Sequence, residues 1–170
     1  MFRQSVSGSR GARLWAGVFV LALTCLGCTA RPLTMRQSLA DFNSEDPRLA
    51  NAGYMELYHH GAAAIPLLLD NVDRADIFQG DVHQDRTFSI VYSAPPKGRI
   101  ALYLVEAIRV GHQQPHTTPY LIDDSGQEPA DAFPRAVAAY RQWWSALGAP
   151  TLEEVRRAPD PLRNTGIRWL

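Results

Sequence analysis

The stretch "RIALYLVEAIRVG", Arg99 to Gly111, constrains the fold more than any other part of the chain. Ile100, Leu104 and Ile108 recur at four-residue spacing, and Leu102, Tyr103 and Val105 widen the apolar face. A helix apolar around so much of its circumference has to be covered from several sides. The spacing therefore predicts the most buried element of a small helical domain, with Gly111 as its stop. A second stripe lies in "DAFPRAVAAYRQWWSALG", where Phe133, Val137, Tyr140, Trp144 and Leu147 recur at steps of four, three, four and three. Adjacent helical residues diverge by about 100 degrees. With Trp144 in the stripe, Trp143 falls at its margin, either packed under the C-terminal tail near Trp169 or exposed as an anchor for a partner.

Three further helices are legible. "SEDPRLANAGYMELYHHG" opens with Ser44 as N-cap, then Glu45, Asp46 and Pro47, and closes at Gly61, which predicts a helix from Pro47 to His60 with Ala50, Tyr54, Leu57 and Tyr58 on one face. "GAAAIPLLLDNVD" follows, with Pro66 early in a second helix where its missing N–H costs least, and a Leu68, Leu69, Val72 stripe closed by Asp73. "TLEEVRRAP" carries a capping box, Thr151 with Glu154 three residues on. Between these lie two long connections, residues 74 to 99 and 112 to 130, which exceed the usual loop of about 12 to 15 residues and suggest a recognition surface. The first contains an alternating run, Phe88, Ile90 and Tyr92, that suggests a short strand ended by Pro95 and Pro96. The tail "DPLRNTGIRWL" reads as extended, with Ile167 and Trp169 docked on the domain. The fold class expected is mainly α, one small helical domain with long loops and at most one or two short strands.

The segment from Gly61 through Ala64, Ile65 and Pro66 to Leu68, Leu69 and Val72, with the helix before it, resembles a HEAT-type helical repeat over roughly 25 residues. That resemblance implies stacked helix pairs that offer a binding face and usually no catalysis. A solenoid needs about three repeats to bury a continuous core. A single matching unit points instead to a small α domain containing one HEAT-like hairpin.

The N-terminus reads as an address. Arg3, Arg10 and Arg13 precede the 14-residue apolar run "LWAGVFVLALTCLG", Leu14 to Gly27, with no acidic residue among them. This is the charged and apolar pattern of an export signal, too short for a bilayer-spanning helix of about 20 residues. Leu26, Gly27 and Cys28 resemble the lipobox of bacterial lipoproteins, with Cys25 standing where an aliphatic residue is usual. The resemblance implies cleavage before Cys28, lipidation of Cys28 and loss of Cys25, so that no C-x-x-C pair survives for redox or zinc chemistry. Thr29 follows the cysteine, where an aspartate would favour inner-membrane retention, so the expected location is the outer membrane, facing the periplasm. The chain then divides into a cleaved signal peptide, 1 to 27, a lipid-anchored tether with a short helix, 28 to 43, and a helical domain, 44 to 170. The signal removes three of 17 basic residues and none of 17 acidic ones. The remainder lacks the basic footprint of a nucleic-acid binder.

Chemistry-bearing patterns are sparse. Asp81, His83 and Asp85 in "GDVHQD" would place three metal-ligand types on one side of an extended segment. With His112 or His116 they make the candidate site of a metal-dependent hydrolase of envelope polymers. A solvated polar loop explains the same residues. No G-x-S-x-G elbow, S-x-x-K pair, G-x-G-x-x-G or Walker pattern occurs after the signal, and no cofactor is expected. Gly98 and the prolines before it could mark an anion site at a helix N-terminus, or simply a tight turn. The leading expectation is a non-enzymatic, membrane-anchored envelope lipoprotein that binds another envelope protein or serves as an accessory scaffold, in one version an immunity-type protein.

Overall fold

A computed structural model describes residues 33–81, 94–116 and 118–170, the unit that begins at Leu33. It is mainly α-helical. Helices α1 (Met35–Phe42), α2 (Pro47–His60) and α3 (Ile65–Leu69) come first, with a 3-10 turn, Gly61–Ala64, between α2 and α3. Helix α4 (Lys97–Val110), strand β1 (Leu121–Ile122), helices α5 (Ala132–Leu147) and α6 (Leu152–Arg157), and strand β2 (Arg168–Trp169) complete it. Among the described residues no helix is long and apolar enough to cross a membrane.

Helix α4 is the centre, as its apolar circumference demands. Every residue from Ile100 to Ile108 is buried. It ends where Gly111, at φ 79°, takes the left-handed conformation, and the amides of Gly111 and His112 both turn back to the Ala107 carbonyl. Helix α2 has the bounds read from sequence, but its N-cap is Asp46, whose carboxylate accepts from the Arg48 amide at 2.8 Å. Ser44 caps the preceding turn instead, accepting from the Asp46 amide. The reason is Pro47 at the first helical position, which leaves the residue before it as the cap.

Two further expectations are corrected. Helix α3 stops at Leu69 rather than Asp73. The Asn71 side-chain amide takes the Leu67 carbonyl at 2.8 Å, and the Asn71 backbone amide turns to Leu68, so the next α-helical bond is never made. Val72 is buried all the same, from the turn that follows. On α5 the buried face is rotated from the expected stripe: Ala132, Ala136, Val137, Tyr140 and Trp143 are buried, while Phe133, Trp144 and Leu147 are only partly covered. The small alanines allow close approach, and Phe133 turns its ring outward to pack under Arg99, whose guanidinium lies 5.2 Å from that ring and 5.2 Å from the Tyr120 ring.

Ile167 and Trp169 of the tail dock as expected, but the tail is not extended throughout: residues 161–166 form turns, and only Arg168–Trp169 is strand. Strand β2 pairs antiparallel with β1, Trp169 opposite Leu121, and Ile167 and Trp169 are both buried. Backbone bonds from Thr118 to Leu170 and from Leu170 to Tyr120 extend the pairing, so much of the second long connection is stitched to the body. Helix α6 carries the capping box read from Thr151 and Glu154. The alternating run Phe88, Ile90, Tyr92 lies outside the described residues.

Helices α1 and α2 meet backbone to backbone. A Cβ added at buried Gly53 would lie 2.1 Å from the Phe42 nitrogen, 2.6 Å from the Ser38 carbonyl oxygen and 2.7 Å from the Asp41 carbonyl carbon. None of these atoms can swing aside, so α1 would have to move off α2. We therefore expect Gly53→Ala to cost about 3 kcal/mol in urea unfolding. Gly126→Ala, where φ is +80° but no atom lies within 4 Å, should cost about 1 kcal/mol. Equal losses would mean that the α1 contact is not tight.

Candidate functional site

A carboxylate lies in the middle of the core. Glu106 sits on α4 among buried apolar neighbours and is 1 % exposed. Arg109, one turn on, donates from Nε to Oε2 and from Nη2 to Oε1, each at 2.7 Å. The Tyr140 hydroxyl of α5 donates to Oε2 at 2.7 Å, and His116 Nε2 lies 3.1 Å from Oε1. Tyr140 in turn accepts from the Trp169 indole at 2.9 Å. The Tyr103 hydroxyl donates to the His116 carbonyl at 2.5 Å, and its ring meets the Trp169 ring edge-on at 5.5 Å. Burial by itself would raise the Glu106 carboxyl. The bonds from Arg109, His116 and Tyr140, with the Arg109 charge, outweigh it and bring the group down to about 2. Burial pushes the Tyr103 hydroxyl up to about 12, against the bond to His116 and with the Glu106 charge; burial of the wholly enclosed Tyr140 also raises its hydroxyl well above the ordinary value.

This arrangement is closed. Each carboxylate oxygen already has two partners, Arg109 shares both its forks, and Tyr140 uses its proton and a lone pair. A general base needs a free lone pair within reach of substrate. Glu106 instead ties α4, α5, the segment around His116 and the tail into one body.

A second buried charge sits at the other end of α4. Lys97 is 1 % exposed, and its ammonium reaches the Asn43 carbonyl at 2.8 Å, Glu45 at 3.2 Å and Asp76 at 2.8 Å. Its three donors are spent. Bonds from Arg74 and from Lys97 hold the Asp76 carboxyl well below its usual range. The helix start considered as an anion site is filled by protein: the Lys97 and Gly98 amides donate to the Asp76 and Arg74 carbonyls, and a Cβ at Gly98 would lie 2.0 Å from the Val72 oxygen. Gly98 serves the tight-turn reading.

Of the remaining sequence-derived candidates, the described ones have separate surroundings. Asp81 is exposed, its amide donating to Asn51 at 2.7 Å. His83, Asp85 and Cys28 lie outside the described residues. His112 Nδ1 lies 2.7 Å from the Gln114 carbonyl, and His116 belongs to the Glu106 network. Among the described residues no three His, Cys, Asp or Glu side chains are grouped to hold a metal ion. Trp143 and Trp169, the candidate binding anchors, are buried at 9 % and 5 % exposure, and both rings pack against or bond to Tyr140. Trp144 is the more accessible of the adjacent pair. It helps line a shallow, mostly apolar groove of about 480 Å³ with His59, His60, Pro66, Pro150 and Leu152.

No protein-family model matches the chain, no curated protein matches it, and no solved structure matches it.

Two outcomes are expected. The Glu106 carboxyl is lower in the folded chain than its ordinary 4.5, so its stabilisation is complete above about pH 4.5 and is lost as pH falls toward 2. Glu106→Gln leaves the partly buried Arg109 without its counter-charge, and should cost roughly 3 kcal/mol at neutral pH and reduce the acid-side slope of urea midpoints to what Asp76 and the other lowered carboxyls supply. A slope unchanged in the variant would place the titration elsewhere. Metal analysis of the purified chain from Arg31 onward should find no stoichiometric zinc; zinc that disappears on His83→Ala would restore the hydrolase reading.

Proposed function

We propose that this chain is a lipid-anchored bacterial envelope protein whose helical domain binds another envelope protein or serves as an accessory scaffold, without catalysis of its own. The observation that carries the reading is in the sequence: Arg3, Arg10 and Arg13 precede the apolar run Leu14 to Gly27, and the lipobox-like Leu26, Gly27 and Cys28 end it. A thioether-linked diacylglycerol with an N-terminal acyl chain satisfies the need for more than one chain in stable anchoring. The location this implies is by default the outer membrane, facing the periplasm.

The binding role is supported by the way the ionisable core is used. Glu106 and Lys97, the groups whose burial would first suggest chemistry, are saturated by protein partners. The resemblance to a HEAT-type hairpin, which implies a binding face, points the same way. In the long connection from 112 to 130, the exposed turn around Asp124, Ser125 and Gly126 stands out from a body held by β1 and β2. An immunity-type role, blocking an incoming toxin at the periplasm, fits the compartment and the size of the domain.

In cells carrying the full-length chain, Cys28→Ala should move the protein from the membrane fraction to the soluble fraction. Retention in the membrane would contradict anchoring through that residue. Crosslinking in intact envelopes followed by pull-down should recover a partner in defined stoichiometry; recovery of abundant bystander proteins only would sink the binding role.

A further inference from the structure

We draw no further inference here: the strongest candidate, the shallow apolar groove between the α2–α3 turn and the α5–α6 turn with His60 and Trp144 in its wall, is an unpartnered surface, and nothing in the structure shows what covers it.

Discussion

One buried carboxylate organises this domain. A charge in an apolar interior is tolerated only when it is paired and its lone pairs are filled. Arg109, on the same helix, supplies the counter-charge and two of the bonds, but the others come from His116 and Tyr140, 10 and 34 residues away in sequence. Satisfying Glu106 therefore fixes where His116 lies and which face α5 presents. Tyr140 passes the constraint on to Trp169, which brings in the tail and with it the pairing of β2 on β1. Breaking any one link leaves a buried polar group without its partner, which costs more than a hydrogen bond contributes when made.

The same logic operates at the start of α4. Lys97 gathers the α1–α2 turn and the segment around Asp76, while the adjacent Gly98 lets the Val72 and Arg74 backbone lie against the helix end. Between these two charged nodes the helix is apolar, and every residue from Ile100 to Val105 is buried. Direction and position come from the ends; cohesion comes from the middle. Phe42, Tyr54 and Phe78 close the core beside the first node, with the Phe42 and Phe78 rings 5.0 Å apart.

Much of this architecture is legible in the residues because helices announce themselves locally. Pro47 and Gly61 bracket α2, Thr151 and Glu154 open α6, and the four-residue spacing of Ile100, Leu104 and Ile108 marks α4 as central. The same kind of signal, Thr34 with Gln37, opens α1. What escapes a local reading is set by tertiary contact. The face of α5 depends on Tyr140 reaching Glu106, so a stripe drawn through Trp144 and Leu147 misses it by one position. The end of α3 depends on one asparagine side chain. Strand β1 has two residues and exists because the tail pairs with it. The polar core was visible only as a lone glutamate in "LYLVEAIRV" with an arginine three residues later, and as the single lysine of the chain.

The proposed function places the role of the chain in its address and its surface. The proposed address rests on Cys28 and is open to a direct reading: the intact mass of the mature protein isolated from cell envelopes, with sequencing of its first residues. The account predicts a chain beginning at Cys28 and heavier than its sequence by a diacylglyceryl group and an acyl chain. A chain beginning at Phe2 or at Cys25, or an unmodified Cys28, would contradict it.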